Sequence, residues 1–506
     1  MVTEPEVVQA EEASPWEGLW SRARSAARGI RRALDADTLL VASMASMIEA
    51  SATRYALDPG ATWRPGQPLR LLFAGYGGSR NTGADVRVEE MIRQVRHLLG
   101  DRRCELFVTT IDPERTRGYF RTVTQLQLPQ LFPRFVFDTV HEVHGVIACE
   151  GSMFKSKFAN ALSTYMVGAL GCASAENKLA VGWGGEAGAM DPGLEALVRR
   201  YCSDALILCR NEASREVLGA LGVPSEPGTD TAWTFSAAPP EVGRRLLTSL
   251  GWDGALPVLV LCPINPFWWP VKPDVLRGIA RGLTGAHADA HYKSVYFHAS
   301  GASVSRAQEA YLDHWAQGVC AYRARRPCFP VVVGMEALDR SACEGLAQRL
   351  GGAPVVVSDT HDMYTMVSLL RSASLMLSSR YHAIVCSMPA QVPSAGVTMD
   401  ERIRNLMIDR GTPGLALEVD DPGLGDQIEA TLHQLERGAD AISEGIGRCV
   451  VDNLRRMGGM GQLFVEHLRR RHPQLPLRPE LGTHGDPFDH LPSLSAEAEI
   501  LVERYG

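Results

Sequence analysis

Several common features are missing from this sequence, and each absence excludes a class of protein. No apolar run approaches the ~18 residues that a membrane-spanning helix needs. The 11 cysteines are scattered singly, with no CxxC pair, which is unlike a disulfide framework or a zinc site. The formal net charge of -7 argues against a general nucleic-acid binder. Residues Met1–Glu12 are acidic and lack the basic-then-apolar pattern of a secretory signal. We therefore expect a cytoplasmic protein that binds no nucleic acid.

What the sequence does contain is an ordinary globular composition in a long chain. Hydrophobic residues make up 45% of its 506 residues, and charged residues make up 22%. This length can supply two or three domains, each with its own core. Short apolar segments recur at intervals of roughly 20 to 40 residues, with helical patterns between them. This alternation is typical of parallel sheets that are covered by helices.

The first half predicts a doubly wound α/β domain over residues 69–235. Its first unit is the strand Leu69–Ala74, the glycine-rich turn Gly75–Asp85 and the helix Val86–Leu99. The turn is not the GxGxxG dinucleotide fingerprint. Its glycines let backbone N–H groups approach an anion, although tight strand-to-helix turns also need glycine for steric reasons alone. Later strands are expected at 105–111, 145–149, 179–185 and 205–209.

The second half predicts a matching domain over residues 255–425, after a Pro-containing connector at 236–254. The fold class that we predict is α/β, with two Rossmann-like domains facing a cleft (GT-B-like) and helical extensions at both ends. The C-terminal extension, 440–506, begins with a long helical tract that can return to the first domain. Strands of a second parallel sheet are expected at 257–263, 294–298, 329–334, 354–358, 375–377 and 393–397.

The N-terminal extension, residues 1–68, contains a predicted helix from Trp16 to about Arg54. Five arginines cluster within Arg22–Arg32. A basic amphipathic helix can lie on anionic lipid, which would place the protein at the inner face of the membrane. The simpler interpretation is a helix on the domain edge with a solvated basic face.

One junction combines residues that are suited to chemistry. The apolar strand at 375–377 leads into Ser378-Ser379-Arg380-Tyr381-His382-Ala383, and open α/β sheets hold their ligands at the carboxyl ends of strands. Arg380 supplies a fixed cation for a carboxylate or phosphate, and His382 titrates near neutrality. Arg210 follows a predicted strand in the first half. For each arginine, a structural ion pair is the alternative interpretation, with Glu212 as a neighbour for Arg210.

Six short motifs follow one another at these junctions. They are Asn81-Thr82-Gly83-Ala84-Asp85, Glu150-Gly151-Ser152, Gly182–Gly188, Arg210-Asn211-Glu212-Ala213-Ser214 followed by Leu218–Val223, Arg380-Tyr381-His382-Ala383 and Asp400-Glu401-Arg402-Ile403. In this order they resemble the polysaccharide pyruvyl transferase family over about 69–411. The sequence departs from the family pattern at Glu150, Asn211 and Tyr381.

The resemblance implies transfer of a pyruvyl group from phosphoenolpyruvate to two hydroxyls of one sugar in a polysaccharide or its precursor. The products would be a pyruvate ketal and phosphate. Arg380 and His382 are the implied catalytic residues, and His382 would either protonate the methylene carbon or accept a hydroxyl proton. The donor carries a carboxylate and a phosphate, so its site needs at least two cations. No metal or further cofactor is implied, and the acceptor would be a saccharide, free or lipid-linked.

The predicted substrate-binding residues come from several junctions. Asn81 and Gly83 either contact phosphate or only shape their turn. Lys272 is a candidate third cation, and Trp268 and Trp269 beside it either stack on a sugar or pack at the rim of the core. The full set that we predict to bind substrate is Arg210, Asn81, Gly83, Ser152, Lys272 and Arg402.

Two other functions stay open at this stage. A glycosyltransferase of the same two-domain type would use a nucleotide-sugar donor and would share the cleft, the glycine turns and the arginines. A non-catalytic platform in polysaccharide assembly would use the fold without the chemistry. The product released from the donor separates the two enzymes, and loss of donor binding on Arg380→Ala separates either enzyme from the platform. The sequence does not predict an oligomeric state.

Overall fold

The computed structural model describes residues 36–284, 291–293, 296–478 and 485–506. The predicted basic cluster at Arg22–Arg32 lies outside the described residues. The strands are β1 (Leu69–Gly77), β2 (Cys104–Thr110), β3 (Thr124–Gln127), β4 (Gly145–Ala148), β5 (Leu179–Gly185), β6 (Leu206–Cys209), β7 (Glu226–Pro227), β8 (Val258–Cys262), β9 (Lys272–Pro273), β10 (His291–Lys293), β11 (Tyr296–Phe297), β12 (Phe329–Gly334), β13 (Val355–Val357), β14 (Leu375–Ser378), β15 (Ser394–Thr398) and β16 (Ala416–Glu418).

Helices cover the faces of the sheets and extend the chain at both ends. Within the described part of the chain, no helix combines the length and the apolar character needed to cross a membrane. The helices are α1 (Ala36–Leu57), α2 (Thr82–Leu99), α3 (Pro133–His141), α4 (Asn160–Ala175), α5 (Pro192–Tyr201), α6 (Glu212–Ala220), α7 (Pro240–Ser249), α8 (Val275–Thr284), α9 (Ala302–Arg325), α10 (Arg340–Arg349), α11 (Met363–Arg371), α12 (Tyr381–Ser387), α13 (Glu401–Asp409), α14 (Leu424–Arg437), α15 (Ala439–Arg471) and α16 (Ala496–Tyr505).

Two parallel sheets define two lobes. In the first lobe the described strands form a seven-stranded sheet of order β3-β2-β1-β4-β5-β6-β7, and in the second lobe a six-stranded sheet of order β13-β12-β8-β14-β15-β16. Central strands such as β8 and β14 are buried along their whole length, which is why they read as continuous apolar runs in the sequence. The predicted class is confirmed: the protein is α/β, with two Rossmann-like lobes that face a cleft.

One strand prediction is wrong. The segment 294–298 was expected in the second parallel sheet. The structure instead pairs Tyr296–Phe297 antiparallel with β9 and β10 in a separate three-stranded sheet. The apolar, β-branched and aromatic composition of the segment favours a strand but does not determine which neighbour it pairs with.

The connector between the lobes contains a helix that the sequence analysis did not predict. Helix α7 begins at Pro240, where a proline is tolerated because the first helical N–H needs no intrahelical partner. The backbone N–H of Gly243 on α7 donates to Ser368 Oγ on α11 at 3.0 Å. The connector therefore packs on the second lobe.

The long helix α15 joins the two lobes. Near its start, Ser443 O accepts a hydrogen bond from Gln391 in the second lobe. Near its end, Phe464 packs edge-on against Trp183 of the first lobe, with 5.0 Å between ring centroids. A continuous apolar core, which includes both Leu69 and Leu501, runs through the two lobes. The relative position of the lobes is therefore held by buried surface as well as by the chain connection.

Candidate functional site

The carboxyl ends of the two sheets meet at one cavity of about 470 Å³. It lies between the lobes, where α/β proteins commonly hold ligands. Lys272 does not line the cavity; its side chain is exposed on β9. Trp269 lines the cavity, whereas Trp268 packs on His298, with 4.8 Å between the rings. The structure brings together at this cavity the other predicted residues, Asn81, Gly83, Ser152, Arg210, Arg380, His382 and Arg402.

Gly83 and Gly151 have no side chain, which allows His382 and Arg210 to pack directly against their backbones. A Cβ atom on Gly83, in the first turn of α2, would lie 2.4 Å from His382 Nδ1 of the second lobe. A Cβ atom on Gly151 would lie 2.1 Å from Arg210 Nη2. Both distances are shorter than any van der Waals contact, so a larger residue would displace His382 or Arg210.

Arg210 belongs to a group of charged side chains around Asp230, which we call the Asp230 cluster (Asp230, Arg87, Arg210 and His382). Asp230 is fully buried, and its Oδ2 atom is contacted from three directions. Arg87 Nε lies at 3.0 Å, His382 Nε2 at 3.1 Å and Arg210 Nη2 at 3.2 Å. Arg87 and Arg210 come from the first lobe and His382 from the second, so this carboxylate joins the lobes.

The Asp230 cluster has fixed charges. Burial by itself would raise the pKa of the Asp230 carboxyl, but Arg87 and Arg210 outweigh it and hold that pKa well below its ordinary value. Burial lowers the pKa of His382 to about 4, although Asp230 opposes the shift. His382 is therefore neutral near pH 7. Its Nε2–H donates to Asp230, which leaves Nδ1 as a proton acceptor.

Arg210 is held by two carboxylates and still has an unused donor. Its Nη1 donates to Glu186 Oε2 at 3.3 Å, and its Nη2 faces Asp230. The expected alternative, an ion pair with Glu212, does not form, because Glu212 binds Arg215 at 2.6 Å. Arg210 Nε is buried and has no hydrogen-bond partner among the described residues. A buried donor in a cavity wall is expected to bond to a ligand or to water.

Arg380 belongs to a second group, the Glu336 cluster (Glu336, Asp339, Arg380 and Asn81). Arg380 Nε donates to Asp339 Oδ2 at 2.8 Å, and its Nη2 donates to Glu336 Oε2 at 3.0 Å and also to Asp339 Oδ1. Asn81 reaches across from the first lobe and donates to Glu336 Oε2 at 3.3 Å. The Arg380 guanidinium is therefore shared by the carboxylates of Glu336 and Asp339.

The Glu336 cluster has excess negative charge. Burial raises the pKa of Glu336 to about 7, although Arg380 opposes the shift. Burial also raises the pKa of Asp339, with Arg380 again opposing. Glu336 is 2% exposed, and its Oε1 atom has no hydrogen-bond partner among the described residues. This carboxyl group therefore changes its protonation near neutral pH.

Asn81 is both a helix cap and part of the contact between lobes. Its side-chain oxygen accepts from the Ala84 backbone at the start of α2, and its amide donates to Glu336. The neighbouring Thr82 N–H donates to Met335 O at 2.9 Å. The first turn of α2 is thus fixed against the second lobe on the Glu336 side and, through Gly83, on the His382 side.

A further buried carboxyl lines the cavity. Glu150 is one of the positions where the sequence departs from the family pattern, and burial raises its pKa. Burial, followed by the nearby charge of Glu150, also raises the pKa of Asp85 well above its ordinary value. Glu150 therefore adds a second buried carboxyl group to a cavity wall that already includes Glu336.

Aromatic side chains also line the cavity. Phe158 packs edge-on against Trp269 with ring centroids 5.1 Å apart. The Arg402 guanidinium lies 4.3 Å from the centre of the Phe158 ring, and its Nε donates to Asp400 at 2.8 Å. Ring faces of this kind contact sugars and other flat ligands. The cavity lining thus combines charged and aromatic side chains.

The sequence analysis did not identify the carboxyl partners. Asp230 follows β7, a strand of two residues that has no apolar signal. Glu336 and Asp339 follow the valine-rich β12, so a search for carboxylates at strand ends would have found them. Among the described residues, no group of three or more His, Cys, Asp or Glu side chains is arranged to hold a metal.

The chain is similar to several solved structures, each at low sequence identity. No family model matches the chain, and no curated protein sequence does. The UDP-GlcNAc 2-epimerase from Neisseria meningitidis, bound to UDP-GlcNAc, has a TM-score of 0.48 and 11% identity, over 79% of this chain and 100% of that chain. A putative UDP-N-acetylglucosamine 2-epimerase from Listeria monocytogenes has a TM-score of 0.47 and 11% identity, over 79% and 97%. The lipopolysaccharide outer core galactosyltransferase WaaB has a TM-score of 0.40 and 12% identity, over 75% and 95%.

Proposed function

We propose that the protein is a transferase that acts on a saccharide in the cleft between the lobes. The observation that carries the proposal is the placement of Arg210 and Arg380. Arg210 follows β6 of the first lobe and Arg380 follows β14 of the second lobe, and both line the same cavity beside the neutral imidazole of His382. Such an arrangement suits a small anionic donor that is held between two guanidinium groups.

For the donor we propose phosphoenolpyruvate, from which a pyruvyl group would pass to two hydroxyls of one sugar. The collinear motifs that resemble pyruvyl transferases support this donor, since most of them meet at the cavity. The unpaired Nε of Arg210 can donate to a carboxylate or phosphate oxygen. His382 Nδ1 is then suited to accept the proton of the attacking hydroxyl rather than to deliver one.

A nucleotide sugar is the second candidate donor, and two observations favour it. Each guanidinium of the cavity is already paired with carboxylates, which disfavours a donor with many charges. The lining residues Phe158 and Trp269 offer ring surfaces for a nucleobase or a second sugar. The enzyme would then be a glycosyltransferase that uses the same cleft.

The product that leaves the donor tests the proposal. Purified full-length protein is incubated with phosphoenolpyruvate or with a panel of nucleotide sugars, each with a panel of saccharides. Release of inorganic phosphate with a ketal mass gain on the saccharide supports pyruvyl transfer. Release of nucleoside diphosphate with a glycosyl mass gain replaces it with glycosyl transfer.

Two variants show whether any activity belongs to this cavity. Arg380→Ala should abolish turnover, whereas Arg340→Ala should not, because Arg340 is a partly exposed arginine that pairs with Asp359 away from the cavity. If neither donor is turned over or bound, the transferase proposal fails and the non-catalytic platform replaces it.

A further inference from the structure

We propose that Glu336 is the proton donor of this site, and that it gives its proton to the bound donor while His382 takes a proton from the acceptor hydroxyl. The inference rests on the proposed transferase function and assigns its acid and its base. The family resemblance gave both roles to His382 as alternatives. The structure offers a separate group for each.

The geometry around Glu336 supports a role toward a ligand. One carboxyl oxygen, Oε2, is fixed by Arg380 and Asn81. The other, Oε1, is buried and unpaired among the described residues, although the side chain lines the cavity. Because Oε2 is anchored, Oε1 is the oxygen of this side chain that is left to carry a proton to a bound ligand.

The surrounding charges make this carboxyl group hold a proton. The charged groups that face Glu336 are Asp339 on its own turn, Arg380 after β14 and Asp85 on α2. Two of these three are carboxyls, and the single guanidinium is shared with Asp339. Together with burial, this excess of carboxyl groups keeps the pKa of Glu336 at about 7, so a substantial fraction is protonated at neutrality.

His382 is separated from Glu336 by the first turn of α2. Asn81 contacts Glu336, and Gly83 packs against His382. The pKa of the imidazole is about 4 and that of the carboxyl about 7, so near neutral pH the imidazole is unprotonated and a substantial fraction of the carboxyl is protonated. When the environments of two titratable groups move their pKa values in opposite directions, the groups are suited to opposite proton-transfer roles.

With phosphoenolpyruvate as the donor, the first step is the addition of a hydroxyl to its double bond. Glu336 gives its proton to the methylene carbon, which becomes a methyl group, and the first hydroxyl oxygen bonds to the adjacent carbon as His382 Nδ1 takes its proton. The second hydroxyl then bonds to the same carbon, the bond from carbon to phosphate oxygen breaks, and phosphate leaves with the electron pair. The proton of the second hydroxyl restores Glu336, and the proton on His382 passes to phosphate. The products are a ketal and hydrogen phosphate.

The test compares Glu336→Gln with Glu344→Gln, an exposed glutamate on α10 that pairs with Arg340. In wild-type protein and in Glu344→Gln, kcat/KM for the donor should fall about tenfold per pH unit above pH 7, because the proton on Glu336 is lost. Glu336→Gln should lower kcat by about 10²-fold or more, with little change in KM, and should remove this decline. Glu336→Asp should retain the decline at reduced kcat. A wild-type pH profile in Glu336→Gln would overturn the proposal.

A second measurement does not depend on turnover. Infrared difference spectra of wild-type protein minus Glu336→Gln follow the protonated carboxyl of Glu336 across pH, with and without inorganic phosphate. We expect the signal to disappear near pH 7. Disappearance near the ordinary value of 4.5 would overturn the proposal. If the wild type turns over no donor while the carboxyl still titrates near pH 7, the proposed function fails and the proton-transfer role fails with it, but the protonation of Glu336 stands.

Discussion

The Asp230 cluster and the Glu336 cluster are built from the same kinds of side chain but behave in opposite ways. Each contains an arginine that follows a parallel strand, and each is completed by one residue from the other lobe, His382 in the first case and Asn81 in the second. In the Asp230 cluster two guanidinium groups surround one carboxylate. In the Glu336 cluster one guanidinium is shared by two carboxyl groups.

The ratio of guanidinium to carboxyl groups determines which cluster titrates near neutral pH. Arg87 and Arg210 together keep Asp230 ionised despite its complete burial. Arg380 alone cannot offset the burial of both Glu336 and Asp339, so the pKa values of both rise. The first cluster therefore supplies fixed charge and a neutral base, and the second supplies an exchangeable proton. The number of opposing charges around each buried carboxyl group therefore explains the direction of its pKa shift.

The largest effect is expected from breaking the Asp230 cluster. Asp230→Ala leaves Arg87 and Arg210 buried without their shared anion, which should reduce the free energy of unfolding by about 3–5 kcal/mol. Urea unfolding at pH 7 measures this. Glu212→Ala, which removes an exposed carboxylate from the same lobe, should change the stability by less than about 0.5 kcal/mol. A loss below about 1 kcal/mol in Asp230→Ala would show that the cluster is not held by charge.

The Glu336 cluster should give a smaller effect that depends on pH. The pKa of Glu336 is raised in the folded state from 4.5 to about 7, so the folded protein keeps a proton that the unfolded chain releases. The stability that this provides is complete below pH 4.5 and is lost as the pH rises through 7.

Glu336→Gln cannot lose that proton, so the variant should become more stable relative to wild type as the pH rises. At about 1.4 kcal/mol per pKa unit, the relative stability should change by up to about 3 kcal/mol between pH 4.5 and 8. Urea unfolding of both proteins across this range measures the change. A difference that is independent of pH would contradict the assignment of the titrating group.

The sequence was sufficient for the architecture because central parallel strands are buried on both faces and are therefore continuous apolar runs. Strands β3, β7 and β16 of the two parallel sheets were missed, since the first is polar and the other two have only two and three residues. Lys272 was placed at the site because it follows two tryptophans, but its exposed position on a separate antiparallel sheet keeps it out of the cavity.

The residues of the site that local sequence could indicate are those at strand ends, such as Arg210 and Arg380. Their charge partners were not predictable in the same way. Asp230 and His382 are separated by 152 positions, and Asn81 and Glu336 by 255. Those contacts depend on how the two lobes dock, and no local pattern encodes that docking.

The smallest effect concerns Asn81, which links the helix cap to the Glu336 cluster. Asn81→Ala should reduce the free energy of unfolding by about 1 kcal/mol through loss of the N-cap of α2. Asn81→Asp keeps the cap but adds a third carboxyl to the cluster, so it should move the titration of Glu336 to higher pH. Ser495→Ala, which removes the cap of α16, should reduce the free energy of unfolding by a similar amount and leave the titration of Glu336 unchanged. Unfolding curves and the infrared titration report the two effects separately.

The most direct test of the account is whether one ligand needs both clusters. Calorimetric titration of phosphoenolpyruvate, with UDP-N-acetylglucosamine in parallel, is performed on wild-type protein and on Arg210→Lys, Arg380→Lys and Arg340→Lys. We expect saturable binding of one ligand to the wild type and to Arg340→Lys, and affinity at least tenfold weaker in each of the other two variants, because lysine keeps the charge but loses the bidentate guanidinium geometry. Equal affinity in all four proteins, or loss in only one of the two cluster variants, would contradict the claim that arginines from opposite lobes hold one donor.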